Sequence, residues 1–507
     1  MVLSRVCRVI GTIIFKDFMM MRFLIFTFLA FIALIVDNRA LHAADKERMN
    51  VLFIAVDDLR TEASVFGKKY IHSPNLERIA KMGVTFNRAY CQQAVCSPSR
   101  SSLLTGTRPD TTKVWDLETH FRKALPDVVT LPQLFKNNGY FVQGMGKLYH
   151  GSLDDPQSWS VPWTNPRKEI EVYALPASRP GANAKGVKAN KKAKGAAFES
   201  ADVPDNKFHD GVLAEMAVKA LQSSAAKKEP FWLGVGFIKP HLPFVAPKKY
   251  WDLYDPAKID LAPNPFKPKG APDYAFSSGG ELHAYSGIPD GALPDELARK
   301  LKHGYYASIS YMDAQVGKVL DELDRLKLTD KTIIILWGDH GWKLGEHGAW
   351  CKHSNVENDT NAPLLIAAPG MKTAGKSTNS LVEFVDIYPT LAELCGLQLP
   401  KHLEGTSLVP VLKDPTVSVK NASFSQYPRG AKVMGYSMRT EQYRFTRWVN
   451  RDNPSKLEAV ELYDHQNDPQ ENTNIANDPK NADLVAKLTE QWKKGWKGNG
   501  VASLQAK

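Results

Sequence analysis

Cysteine is scarce in this chain: five residues in 507, at positions 7, 91, 96, 351 and 395. That is no disulfide framework, although a Cys351–Cys395 bridge stays open at this level. Stability must come from a packed core, for which the length is ample. No internal repeat is present, which excludes solenoids and propellers. Long apolar runs are also missing. The N-terminal stretch Phe23–Val36 has only fourteen apolar or small residues, too few for a stable membrane span. With Arg22 before it and Leu41-His42-Ala43-Ala44 after it, the stretch reads as a secretory signal peptide. The expectation is a secreted protein with no stable membrane anchor, a mature chain starting near Ala44, and a start codon at Met19, Met20 or Met21.

Acidic residues are the minority charge. Sixty-five Lys and Arg against 54 Asp and Glu leave a formal charge of +11 and an isoelectric point near 9.1. Such a balance favours a polyanionic partner, nucleic acid or a sulfated polysaccharide. No zinc finger or aromatic RNA-binding signature supports nucleic acid, and none is expected as a partner. Part of the excess is local: Gly181–Ala197 holds five lysines and no acid. It reads as a solvated loop or as a surface for an anionic chain.

What the chain does contain is a set of continuous apolar runs, the pattern of strands buried on both faces of a parallel sheet. Val51–Val56 ends in Asp57-Asp58, and Tyr140–Val142 leads into Gly146-Lys147 and His150. Phe231–Phe237 leads into Lys239-Pro240-His241, and Thr332–Trp337 into Gly338-Asp339-His340. Pro363–Ala368 is a fifth run of this kind. Helical patterns lie between them, from Ser73-Pro74, over 213–221, 295–326 and 381–394. Alternating strands and helices predict a mostly parallel α/β sheet, whose ligands gather beyond the carboxyl ends of the strands. Four strands that end in Asp, Lys or His therefore point to one crevice. After residue 415 the runs shorten into an antiparallel pattern followed by a helix at 482–492, a small α+β unit.

Asp57, Asp58 and Asp339 in one crevice would repel unless a cation joined them, and oxygen donors suit calcium or magnesium rather than zinc. His340 is a further ligand or an orienting group. Arg100, Lys147 and Lys352 can neutralise an oxyanion, and His150 and His241 are candidates for general base and acid.

Between the first two runs stands Cys96-Ser97-Pro98-Ser99-Arg100, continued by Ser102-Leu103-Leu104-Thr105-Gly106 and Arg108-Pro109. This stretch resembles the signature of the type I sulfatases of the alkaline phosphatase superfamily. The resemblance runs from about Asn50 to Ala476. Lys239-Pro240-His241, Gly345-Glu346-His347-Gly348, Ser425-Gln426-Tyr427-Pro428-Arg429 and Met434-Gly435-Tyr436-Ser437 are similar to its iduronate-type branch, as are His340 and the Lys147-x-x-His150 spacing. It implies an alkaline-phosphatase-like catalytic domain over 45–414, after a 1–44 signal region and interrupted by the 181–197 insert, and a C-terminal subdomain over 415–507. It implies that Cys96 is converted by a maturation enzyme to formylglycine, whose hydrate attacks sulfur and forms a covalent sulfated intermediate.

Carried over residue by residue, Asp57, Asp58, Asp339, His340 and the modified Cys96 bind one calcium ion. Arg100 stabilises the hydrate, Lys147 and Lys352 hold the sulfate, His241 assists the leaving alcohol and His150 cleaves the intermediate. Arg429, Arg439 and Trp342 are candidate substrate contacts. The implied activity is hydrolysis of a sulfated glycan, with the 2-O-sulfate of a terminal uronic acid expected. The segment from Pro162 to Asp205 departs from the family pattern, which leaves the natural glycan open. Two other readings remain at this level: a phosphodiesterase or phosphonate hydrolase of the same superfamily, and a non-catalytic polyanion-binding protein.

Overall fold

A computed structural model describes residues 48–182, 194–227, 229–276 and 280–500. The expected signal segment, and residues 183–193 of the lysine-rich insert, lie outside the described residues. Asn50–Val56 (β1) is buried along its whole length because both faces are covered. Its odd members Val51, Phe53 and Ala55 pack into one apolar cluster, while Leu52, Ile54 and Val56 pack into another on the opposite face. This is the period-2 consequence of the pleat. The first face meets the helices Cys96–Thr105 and Ile387–Leu394; the second meets His209–Lys227 and Asp295–Arg325.

The central sheet comprises β1, Val84–Phe86 (β2), Phe141–Gly146 (β3), Phe231–Phe237 (β4), Thr332–Gly338 (β5), Leu364–Ala367 (β6) and Lys376–Thr378 (β7), in the order β7-β2-β6-β5-β1-β4-β3. β5, β1, β4 and β3 are adjacent and mutually parallel, so the four reactive strand ends leave the sheet along one edge. The ladder runs one residue past the strands, with Asp57 N–H donating to Phe237 O (3.2 Å) and Asp339 N–H to Val56 O (3.1 Å). The fifth apolar run differs from its expected type: β6 is antiparallel to both neighbours. A fully buried antiparallel strand reads the same in sequence as a parallel one.

The helix expected after Ser73-Pro74 spans Pro74–Met82, but Ser73 does not cap it. The Asp313 carboxylate, from the long helix Asp295–Arg325, accepts from the N–H groups of Asn75 and Leu76 (2.8 Å to Leu76). Both Cys351 and Cys395 are free thiols, so the bridge left open by the sequence is not made. Among the described residues no helix is long and apolar enough to cross a membrane.

Ser423–Arg429 (β8), Val433–Arg439 (β9), Tyr443–Asn450 (β10) and Leu457–Asp464 (β11) form an antiparallel meander, followed by the helix Ala482–Lys493. The described residues from Met49 onward pack as one compact unit. A buried charge network joins the meander to the large sheet's loops. Arg444 of β10 reaches Glu471 (2.5 Å) and Glu357 (2.5 Å), His465 adds a 2.8 Å contact to Glu471, and Tyr90 donates to Glu357 (2.9 Å). Burial would raise the Glu471 carboxyl, but Arg444, then His465, hold it down to about 2, below its ordinary 4.5. A depressed folded-state value stabilises above pH 4.5 and is lost as pH falls toward 2, worth up to about 3 kcal/mol. Urea unfolding from pH 6 to pH 3 should therefore show a steep acid limb that Glu471→Gln flattens; parallel limbs would refute the assignment.

Candidate active site

The crevice is built on the strand ends. Asp57 and Asp58 follow β1, Lys147 follows β3, His241 lies four residues past β4, and Asp339 and His340 follow β5. Gly236 in β4 admits Lys147: a Cβ there would meet the Lys147 backbone at 2.3 Å. Cys96 is the first residue of the facing helix Cys96–Thr105, every residue of which is buried. Gly106 ends this helix in the left-handed conformation (φ 68°), where a Cβ would strike Leu403 and Tyr388.

Arg100, fully buried one turn along, donates to Asp339 (Nε–Oδ2 2.9 Å) and Asp57 (Nη2–Oδ1 3.0 Å), while Nη1 donates to the carbonyls of Lys147 and Leu148. One guanidinium thus ties the ends of β1, β3 and β5. Lys147 Nζ pairs with Asp57 and stands 3.6 Å from Cys96 Sγ. Lys352 Nζ contacts both Asp58 oxygens (2.9 and 3.0 Å). It is presented by a strained turn, with Cys351 and His353 on either side at φ 72° and 90°. Asp58 itself is left-handed (φ 59°), held by its N–H to Asp339 Oδ1 (3.0 Å) and by Tyr305 OH on its carbonyl (2.7 Å).

The expected residues Cys96, Arg100, Lys147, His241, Lys352, Asp57, Asp58, Asp339 and His340 therefore converge. Glu281 joins them without any sequence signal: its carboxylate lies 2.9 Å from Lys352 Nζ and 3.2 Å from His241 Nε2. His150 sits at the edge. Burial first, and Lys147 next, push its imidazole down to about 4, and its buried Nδ1 has no partner.

The electrostatics show a deficit of positive charge. Burial, opposed mainly by Lys352 and reinforced by Asp57, pushes the Asp58 carboxyl up to about 7. His340 Nδ1 lies 2.9 Å from Gly341 O, and a carbonyl only accepts, so in the neutral ring Nε2 is a lone pair. That lone pair faces Asp58 Oδ1 (3.4 Å) and Asp339 Oδ1 (3.6 Å), and the Cys96 thiol stands 3.4 Å from it. Asp57, Asp58, Cys96 and His241, and likewise Cys96, Asp339 and His340, bring donor atoms within 4.8 Å of one another. These groups could hold a metal ion: the three carboxylates offer oxygen donors of the kind hard cations take, and Cys96, His241 and His340 add sulfur and nitrogen. Glu357, His465 and Glu471 form a third such group, but Arg444 already fills it. The Cys96 thiol is raised well above its ordinary value by burial and then by Asp57, so it stays protonated and is a poor nucleophile as a thiol.

The sulfatase family profile matches residues 49–397, and the C-terminal profile of N-sulphoglucosamine sulphohydrolase matches 345–497. Iduronate 2-sulfatase of Mus musculus is 35% identical over 87% of this chain and 93% of its own length. This chain belongs to the sulfatase family. As a sulfatase it is a sulfuric ester hydrolase of the type I group, with the alkaline-phosphatase-like fold. The structure of BT4656 in complex with D-glucosamine-2-N,6-O-disulfate superposes with a TM-score of 0.70 at 22% identity, covering 89% of this chain and 99% of the other. The phosphonate monoester hydrolase of Silicibacter pomeroyi superposes at 0.73 and 22% identity, covering 90% and 97%. At that identity these two show the fold alone.

The three expected substrate contacts, Trp342, Arg439 and Arg429, are each engaged by groups of this chain. Trp342 is fully buried against Tyr305 and Phe244, and it meets the site only as the ring 4.8 Å beneath Lys352 Nζ. Arg439 pairs with Glu357 (3.2 Å) in the network under the meander. Arg429 donates to the carbonyls of Tyr274 (2.7 Å), Ala275 (3.1 Å) and His353 (2.8 Å), bracing the loop next to Lys352.

Proposed function

We propose that this sulfatase is a secreted, calcium-dependent enzyme that hydrolyses the 2-O-sulfate of a terminal uronic acid in a sulfated glycan. The observation that carries the chemistry is the buried Cys96, held in one crevice with three carboxylates and the cations Arg100, Lys147 and Lys352. The uronate specificity rests on the similarity to iduronate 2-sulfatase over most of both chains. Oxidised by a maturation enzyme to formylglycine, residue 96 would supply the hydrated aldehyde that attacks sulfur. Asp57, Asp58, Asp339 and His340, with residue 96, would hold calcium, whose charge would offset that of the sulfuryl oxygens.

The remaining work falls to ordinary side chains. Lys147 and Lys352 flank residue 96 and hold the sulfuryl oxygens where charge develops. Arg100 keeps Asp57 and Asp339 in place and lends positive charge behind the nucleophile. His241 directs Nε2 into the crevice, because its Nδ1 lies 2.6 Å from the Leu242 carbonyl. Burial, against the pull of Glu281, brings this imidazole down to about 4, so the neutral ring offers an acceptor. Donation to the departing alcohol needs the doubly protonated ring, so the neutral His241 would first take up a proton at Nε2, and the Glu281 carboxylate 3.2 Å away would stabilise that charged form. His150, whose imidazole is likewise brought down to about 4, serves as the neutral base.

The test is sulfate release from a 2-O-sulfated uronate disaccharide by protein co-expressed with a formylglycine-generating enzyme. A phosphodiester and a phosphonate monoester are run beside it. The sulfate ester should be cleaved faster by roughly tenfold or more. Chelation should remove the activity and calcium restore it. Faster cleavage of the phosphonate would move the protein to the phosphonate hydrolase reading.

A further inference from the structure

Part of the segment 162–205, expected from the sequence to depart from the family pattern, lines a cavity that shares His241 with the active site. The cavity, of about 290 Å³, lies beside His241, which forms part of its wall. That volume is at the small end for ligand pockets and suits one ring rather than a chain. One side is β4's exit, with Ile238, Lys239 and Leu242; the other is the divergent segment, with Arg167, Val172 and Tyr173.

The lining pairs apolar and aromatic surface with the basic side chains of Arg167, Lys194 and Lys239, of which Lys239 is partly offset by the neighbouring Asp210 carboxylate. Lys239 is 8% exposed, and its amine donates to the carbonyls of His241 (2.9 Å) and Pro243, which leaves one of three N–H donors without a partner. Arg167 is exposed and, among the described residues, pairs with no carboxylate, yet its charge is felt at Lys239. Glu171, the acidic member of the lining, is occupied by Arg179 (2.8 Å) and Lys207 (3.5 Å). Val172 is a 49% exposed apolar side chain at the rim, unusual for a loop unless something covers it.

Resting on the sulfatase reading above, we infer that this cavity is a subsite for the sugar next to the one bearing the scissile sulfate. It takes a ring that carries its own anionic substituent. The apolar face of the ring lies against Val172 and Tyr173, and the anion meets Arg167 and Lys239. The shared wall at His241 places the subsite on the side where the leaving oxygen departs. The divergent segment thereby sets which glycan is accepted, through residues that take no part in the chemistry.

Binding separates this inference from the catalytic one, because it needs no turnover. Titration calorimetry on full-length Cys96→Ala protein would use two disaccharides with a terminal 2-O-sulfated uronate. One is linked to N-sulfated glucosamine, the other to N-acetylated glucosamine. The N-sulfated ligand should bind more tightly by roughly tenfold, and Arg167→Ala should erase that preference. Val172→Asp, at the exposed rim, should weaken both disaccharides relative to the monosaccharide. Melting curves check that each variant is folded. Equal binding of the two disaccharides, or a preference that survives Arg167→Ala, overturns the subsite. Absence of turnover by the mature wild-type protein would instead overturn the sulfatase proposal and leave the binding result standing.

Discussion

Alanine at position 96 is expected to abolish sulfate release, by about 10⁴-fold or more, while the protein keeps its fold. The thiol is 3% exposed at the first position of a buried helix, so truncation removes one sulfur atom and no hydrogen bond that the fold needs. Its contacts, His340 Nε2 at 3.4 Å and Lys147 Nζ at 3.6 Å, are all functional groups. No neighbour can take over. Ser97 and Ser99 are buried on the same helix, and Ser99 Oγ is spent on the Asp339 carbonyl. A second expectation follows from the raised thiol. Protein made without the maturation enzyme should be as inactive as Cys96→Ala, because a protonated, buried thiol is not a substitute nucleophile. Peptide masses spanning residue 96, taken beside sulfate release, decide the matter. Activity that follows the thiol form, or full activity in the alanine protein, would end the formylglycine mechanism.

The four strand ends were legible because burial on both faces leaves an unbroken apolar run, and the first polar residue after it marks the sheet edge. What the runs do not encode is adjacency. That β5, β1, β4 and β3 are neighbours, and so bring Asp339, Asp57, His241 and Lys147 together, is a property of the winding. The motif at Cys96 was readable, and the helix it begins was not. Its Cys-Ser-Pro-Ser-Arg-Ser-Ser sequence lacks an apolar stripe, since all its faces are buried and Ser99 and Arg100 are spent on the site, while the buried Ser102 Oγ has no partner among the described residues.

Glu281 was missed for a different reason. It stands on the short helical turn Gly280–Ala284 in a loop, and only the tertiary fold brings its carboxylate to Lys352 and His241. Trp342 shows the converse limit. It follows Asp339-His340-Gly341 in sequence, yet its ring turns beneath Lys352 into the core. Proximity in sequence to a ligand does not say which way a side chain leaves the backbone. Arg439 likewise has the composition of a carboxylate receptor, and its carboxylate is Glu357 of the same chain.

Loss of Arg100 should have the largest effect on stability of any single change in the crevice. Arg100→Met preserves much of the side chain's length and apolar contact, including packing on Trp337, whose ring centre lies 5.7 Å from the guanidinium carbon. What it removes is the positive charge shared by two fully buried carboxylates. Breaking a buried pair from one side costs about 3–5 kcal/mol, because the orphaned charge stays in the interior. Here two charges are orphaned on adjacent strand ends, and Lys147 can answer for Asp57 only. Arg100→Lys keeps the charge but not the fork that reaches Asp57, Asp339 and the Lys147 and Leu148 carbonyls together. It should recover part of the stability and little activity, since Lys147 would lose the tie that fixes it beside residue 96. Chemical denaturation with and without calcium resolves the two contributions. Added calcium should narrow the gap between Arg100→Met and wild type, because a divalent ion among Asp57, Asp58 and Asp339 offsets part of the same charge. A variant within about 0.5 kcal/mol of wild type in the absence of calcium would mean that Asp57 and Asp339 bind protons or water rather than depend on the guanidinium.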